Sequence, residues 1–267
     1  MSRFSAFTDA TRALKGAAVI AAFACGVALA TPGQAAQYFL QSATMNTSRT
    51  ASINGPGGFH QNVYLGPIQF TAFEGTDATG PSADFLGFCV DIFHSISLGT
   101  LNLKYDDNYD LTTNSKYLTT TPFVGGTALT QGQITQVGRL VNYGTAMFEQ
   151  APNTTDRTNR LAGLQGAIWQ VINPGYTVTS GTAAVNSYIS AYSGANYLSN
   201  LTGYGPVRSD INFITETGKY GTSRARQSFA FAGAIPEPST WVMLIAGFGF
   251  AGAALRRARY QPVRVRV

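Results

Sequence analysis

The chain has 267 residues, with 18 lysines and arginines against 13 acidic residues, and its formal net charge is +5. Between residues 36 and 235 there are ten basic and eleven acidic residues, a net charge of −1. The positive charge therefore belongs to the two ends, and the central part has no basic surface of the kind that binds nucleic acid. About 200 residues lie between the ends, enough for one domain or two small ones with a hydrophobic core.

The N-terminal end has the order of a secretory signal. Three basic residues precede an uncharged apolar run at 16–30, and the small residues Gly33 and Ala35 follow. This order predicts a signal peptide over residues 1–35 and an exported body over residues 36–232.

The body begins with a predicted strand region. Residues 37–118 are rich in Thr, Ser, Gly, Asn and aromatic residues, and they contain short alternating runs such as NVYLGPIQFTAF and LGTLNLKYDD. From Thr177 onward short Tyr-, Ser- and Gly-rich runs return, and INFITE and RQSFAFAG are predicted late strands.

Two helices are predicted between these strand regions. Thr130 is a suitable N-cap for a helix with apolar residues at 134, 137, 141 and 148. A second helix opens at Asn153, Thr154 and Asp156, and Asn173-Pro174-Gly175 ends it. The predicted fold is α+β: a strand-rich exported domain with a two-helix insertion.

Cys89, in GFCVDIFHSI, is the single cysteine left once the signal peptide, with Cys25, is removed. It cannot form an internal disulfide, and a lone thiol in an oxidising compartment needs an explanation. One explanation is a buried, inert core residue. A cysteine hydrolase using Cys89 and His94 is disfavoured, because neighbours on one strand would point to opposite faces.

A second explanation pairs FCVDIFH with LQGAIW, the run at residues 164–169. The two stretches resemble the signature blocks of Cys-Gln thioester domains of surface adhesins, with 85–175 as the central region. The resemblance implies a bond between the Cys89 sulfur and the Gln165 side-chain carbonyl. Trp169, one helical turn after Gln165, is expected to lie on the same face and to keep water from that bond. Leu164 departs from the Thr that these domains often have. The alternative for LQGAIW is an ordinary amphipathic core helix.

A calcium site is a further alternative. Asp106, Asn108 and Asp110 imitate the first ligands of a calcium loop, but Leu111 and Tyr117 replace the glycine and glutamate that an EF-hand requires. A looser calcium site stays open beside an ordinary acidic turn, and no metal ligand is assigned.

The C-terminal end has three successive features. Pro236, Glu237 and Pro238 precede Trp241, an uncharged run follows to Leu255, and a cluster of arginines comes next. The run predicts a transmembrane helix over 239–255, near the lower length limit for a bilayer span. The arginines predict a basic cytoplasmic tail over 256–267, and the first three of them are Arg256, Arg257 and Arg259.

This order resembles the sorting signal of PEP-CTERM proteins of Gram-negative bacteria, here over residues 233–255 and the arginines after them. The resemblance implies recognition by an exosortase, cleavage near the Pro-Glu-Pro tripeptide, and transfer to the cell surface or extracellular matrix. The precursor would be tethered in the inner membrane and face the periplasm.

Together these features predict an exported, exosortase-processed surface or matrix protein that is not an enzyme and needs no cofactor. Its body is either a covalent adhesin with a Cys89–Gln165 thioester or a non-covalent structural or exopolysaccharide-associated protein. The expected partners are the exosortase, the membrane and extracellular polysaccharide or surface amines, and not nucleic acid.

Overall fold

The computed structural model describes residues 37–75, 78–96, 98–100, 108–112, 128–216 and 226–232, together with 247–249, 251 and 256. The described strands are β1 (Gln37–Thr44), β2 (Arg49–Asn54), β3 (His60–Leu65), β4 (Ile68–Glu74), β5 (Ser82–Cys89), β6 (Gly99–Thr100), β7 (Asn108–Thr112), β8 (Thr177–Ser180), β9 (Ile211–Glu216) and β10 (Phe229–Ala232). The α-helices are α1 (Gln131–Gln150), α2 (Thr155–Ile172) and α3 (Ala183–Ser193), and short 3-10 helices cover Pro56–Gly58 and Tyr197–Asn200.

Most strands belong to one antiparallel sheet that closes on itself. Its order is β4-β5-β10-β9-β7-β1-β6, and β1 also pairs with β4. Because β1 bonds to β4 along one edge and to β7 and β6 along the other, the described strands close into a ring. A smaller sheet has the order β3-β2-β8.

The helices start where the sequence provides caps. The Thr130 hydroxyl accepts the Gln133 N–H at 3.2 Å, and the Gln133 side chain accepts the Thr130 N–H at 2.9 Å, which completes a capping box for α1. Thr154 accepts the Arg157 N–H at 3.1 Å and caps α2. Both predicted helices are confirmed.

The helices pack over one side of the closed sheet and share a core with it. Phe88 and Val90 supply that core from the end of β5, and Phe213 and Ala230 supply it from β9 and β10. The helical members are apolar residues at helical spacing: Ile134, Val137, Val141, Leu161, Leu164 and Ile168. The alternation of side chains along β5 places Cys89 on the opposite face from Phe88.

The predicted mixture of α-helices and β-strands is confirmed, but the prediction of only two helices in the body was incomplete. The segment from Thr177 onward contains α3 as well as the strands β8, β9 and β10, and α3 packs against α2. Its buried residues, Val185, Ile189 and Tyr192, recur at helical spacing in a run otherwise rich in Ser, Ala and Tyr.

The predicted signal peptide, 1–35, lies outside the described residues. The predicted transmembrane helix, 239–255, lies outside them except for 247–249 and 251. Among the residues that are described, no helix combines the length and the apolar character needed to cross a membrane.

Candidate functional site

Gln165 and Cys89 meet in the interior, although 76 residues separate them in the chain. The Gln165 Nε2 donates to the Cys89 carbonyl oxygen at 2.8 Å, and the Gln165 Oε1 accepts the Cys89 N–H at 3.0 Å. Gln165 is fully buried and Cys89 is 3% exposed. One carboxamide therefore binds both backbone polar groups of the cysteine.

The Gln165 carboxamide occupies a position next to β5 that β4 does not reach, because β4 begins only at Ile68. The Val90 N–H donates to the Ser228 carbonyl oxygen beside β10. Because backbone groups of successive residues in a strand point to opposite sides, the N–H and C=O of Cys89 point away from β10 and toward β4. The β4 ladder reaches only to the Ile68–Gly87 pair. Just before β4, the backbone at Gly66 lies against the backbone at Thr47: a Cβ on Gly66 would be 2.1 Å from the Thr47 carbonyl oxygen. Gln165 thus replaces the missing strand partner of Cys89.

Cys89 is one of the residues that line a small cavity of about 150 Å³. Burial raises the pKa of the Cys89 thiol far above its usual value, and the neighbouring Asp91 carboxylate raises it further. The thiol is therefore protonated at neutral pH. The cavity is also lined by Ile68, Tyr64, His94, Trp169 and Gln227.

A buried carboxylate holds the turn that follows Cys89. Asp91 is fully buried; its Oδ1 accepts the Phe93 N–H at 2.8 Å, and its Oδ2 pairs with Nδ1 of His94. Gln227 donates to the Asp91 carbonyl oxygen at 2.9 Å. Asp91 and Gln227 were not singled out from the sequence, although the D-x-x-H spacing directly after the cysteine was a usable signal.

Trp169 lies on α2 one helical turn after Gln165 and lines the same cavity. Its side chain is 2% exposed, and its indole N–H is buried without a hydrogen-bond partner. An unpaired buried donor is unusual in a folded protein and needs a structural or functional explanation.

The prediction that Cys89 and His94 point to opposite faces of one strand was wrong. It assumed that β5 continues through His94, but the strand ends at Cys89, and the following turn brings His94 to the cavity that Cys89 also lines. His60, the other histidine, lies at the start of β3 with Nδ1 2.8 Å from the Asn54 side chain.

Other predicted positions contribute less. Asn108 and Asp110 lie in β7, and Asp106 is outside the described residues. Within the described part, no group of three or more His, Cys, Asp or Glu residues could hold a metal ion. Of the predicted sorting-signal residues the structure describes only Arg256; those outside are Pro236, Glu237, Pro238, Trp241, Arg257 and Arg259.

The comparisons with known proteins bear on the C-terminal end. Residues 234–259 match the family of the PEP-CTERM protein-sorting motif. No curated protein and no solved structure matches the chain. The predicted sorting motif is confirmed. The chain is thereby indicated to be an exported exosortase substrate, processed at the membrane and destined for the cell surface or the exterior.

Proposed function

We propose that the exported body is a covalent adhesion module in which Cys89 and Gln165 form an internal thioester. The observation that carries the proposal is the double hydrogen bond of the Gln165 carboxamide to Cys89, with both residues buried. A carboxamide is a poor acylating group, whereas a thioester has a better leaving group and is open to attack by surface nucleophiles. Each molecule would react once, so the protein would be an adhesin and not an enzyme.

A purely structural role for Gln165 makes the opposite prediction about the sulfur. A side chain that only satisfies the backbone of Cys89 at the end of β4 needs no thiol, because both hydrogen bonds go to backbone atoms. The thioester requires the thiol and expels ammonia. The mass of the protein and the state of its thiol therefore distinguish the two roles.

The test is an intact mass spectrum of the secreted protein. With the thioester the protein is about 17 Da lighter than its sequence requires, because ammonia has left. Methylamine should then add at Gln165 and release one titratable thiol. Cys89→Ala and Gln165→Ala should each abolish the deficit and the uptake, while the control Gln170→Ala, on the same helix, should retain both. Full sequence mass in freshly purified wild-type protein would overturn the proposal.

A second candidate is non-covalent binding of a neutral polysaccharide, and it is favoured by the smaller sheet. A groove of about 450 Å³ crosses β2, β3 and β8, and none of the described residues that line it is charged. Its polar lining includes Thr50, Ser52, Asn62 and Thr179, beside Tyr64, which is 62% exposed. Hydroxyl and amide groups next to an exposed aromatic ring suit an uncharged sugar surface.

This candidate is tested by retention on immobilised dextran and cellulose. Tyr64→Ala should reduce retention, whereas Cys89→Ala should leave it unchanged. Retention that depends on Cys89 and resists denaturant would instead support the covalent function, and no retention of any variant would remove the polysaccharide candidate.

For the sorting step we propose cleavage by the exosortase near Pro236-Glu237-Pro238. The tagged protein should lose its C-terminal segment only in a strain with an active exosortase, and Glu237→Ala should slow the loss. Identical mass and fractionation with and without the exosortase would show that the motif is not used in this way.

A further inference from the structure

We infer that His94, oriented by Asp91, is the proton-transfer residue of the Cys89–Gln165 centre. This inference rests on the proposed thioester and adds to it a histidine and a carboxylate that the resemblance did not supply. Its basis is that Cys89, His94 and Trp169 line one cavity, while the fully buried Asp91 pairs with Nδ1 of His94.

The turn after β5 holds the imidazole in a defined orientation. Asp91 uses one carboxylate oxygen for the Phe93 N–H and the other for Nδ1 of His94. The Gln227 side chain fixes the same turn through the Asp91 carbonyl oxygen. With the Nδ1 proton donated to Asp91, Nε2 is the basic nitrogen of the ring. A carboxylate that selects the tautomer in this way is a positioning residue.

Thioester formation at this site needs a base. Cys89 is a buried thiol whose pKa is raised, so it does not supply a thiolate by itself at neutral pH. A histidine titrates nearest to neutral pH and can accept and return a proton there. His94 is the histidine that lines this cavity.

The step balances with the groups already present. His94 accepts the S–H proton as the sulfur bonds to the amide carbon of Gln165. The carbon–nitrogen bond then breaks, and the same proton passes to the departing nitrogen, which leaves as ammonia. One thiol and one carboxamide give one thioester and one ammonia, and His94 ends neutral as it began.

The reverse half of the chemistry uses the same groups. When an amine attacks the thioester, a new amide bond forms and the carbon–sulfur bond breaks. The amine loses one proton to His94, which returns it to the departing Cys89 sulfur. The buried, unpaired indole N–H of Trp169 is a suitable donor to the carbonyl oxygen, where negative charge develops.

The experiment measures the rate of methylamine uptake by the secreted protein, followed by mass. His94→Ala should develop the mass deficit of about 17 Da more slowly, and the fraction that carries it should take up methylamine at a rate lower by about 100-fold or more, in line with loss of general acid–base catalysis. Added imidazole should restore part of the rate, because it replaces the missing base. Asp91→Asn should also slow uptake, by more than about tenfold, because the imidazole loses the carboxylate that sets its tautomer. His60→Ala is the matched control and should react at the wild-type rate.

The outcomes separate this inference from the one on which it rests. Full sequence mass in wild-type protein overturns the thioester itself. A mass deficit in the wild type together with unchanged rates in His94→Ala overturns the role of His94 alone. If His94→Ala does not fold, as judged by circular dichroism, His94→Gln replaces it. A slow His94 variant that imidazole fails to accelerate shows that His94 only supports the structure, and that result also overturns the inference.

Discussion

Helix α2 has two polar clusters that use similar groups in opposite surroundings. In its first turns Asp156 accepts from Arg160 at 2.8 Å and from the Tyr188 hydroxyl at 2.6 Å. The Arg160 and Asp156 side chains are 34% and 59% exposed. Farther along the same helix, Gln165 is fully buried and bonds only to Cys89 among the hydrogen bonds described for its side chain.

The two clusters differ in the free energy that is lost when one hydrogen-bond partner is removed. At the surface, water replaces a lost hydrogen bond, and salt screens an ion pair, so exposed pairs contribute little. In the interior nothing replaces the partner, and each unpaired group costs its full desolvation energy. The buried cluster therefore controls the stability of this region, while the exposed cluster adjusts it slightly.

The largest expected effect follows from Gln165→Ala. Relative to the carboxamide form that the structure shows, this change leaves the N–H and the carbonyl of Cys89 without the Gln165 partner in the interior, and the free energy of unfolding should fall by about 2–4 kcal/mol. Gln170→Ala, at a half-buried position of the same helix, should change it by less than about 0.5 kcal/mol. The quantity is measured by urea denaturation.

Cys89→Ala is the informative comparison, because it removes the thiol but keeps the two hydrogen bonds between the Gln165 side chain and the backbone of residue 89. It should therefore destabilise the protein less than Gln165→Ala. If the two variants lose equal stability, the hydrogen bonds to the Cys89 backbone are not what makes Gln165 important.

A smaller effect is expected between the two clusters, where α2 and α3 approach closely. A Cβ on Gly163 would lie 2.3 Å from the Tyr188 Cβ and 3.2 Å from its carbonyl carbon. Gly163→Ala should therefore force the helices apart and lower the free energy of unfolding by about 1–3 kcal/mol. Gly181→Ala is the control, because nothing lies within 4 Å of its added carbon. Equal stability of the two variants would contradict the close approach.

Local patterns predicted much of the fold. The caps at Thr130 and Thr154 and the stop at Asn173 located two helices, and INFITE coincides with β9. Closure of the sheet was not predictable, because it depends on β1 pairing with strands that are distant in sequence. Helix α3 was missed because its apolar residues are few among Ser, Ala and Tyr.

The candidate site was predicted only in part, and from motif resemblance, whereas the fold was predicted from local sequence patterns. The pairing of Cys89 with Gln165 came from a resemblance of two short motifs and not from periodicity. Gln227 could not have been found, because 136 residues separate it from Asp91. His94 was set aside because β5 was assumed to continue through it. The strand ends at Cys89, and the turn that follows brings His94 to the same cavity.

The smallest effect is expected at the exposed cluster, and it depends on pH. The Tyr188 hydroxyl, together with Arg160, holds the pKa of Asp156 below its usual value. A lowered pKa stabilises the fold above the usual carboxyl pKa, near 4, and the contribution is lost as the pH falls through the lowered value. Tyr188→Phe should therefore cost less than about 0.5 kcal/mol at pH 7, since the cluster is exposed. Denaturation of wild type and variant at pH 7 and at pH values well below 4 measures this difference, which should shrink in acid. A difference that stays constant would mean that the hydroxyl acts through packing and not through the charge of Asp156.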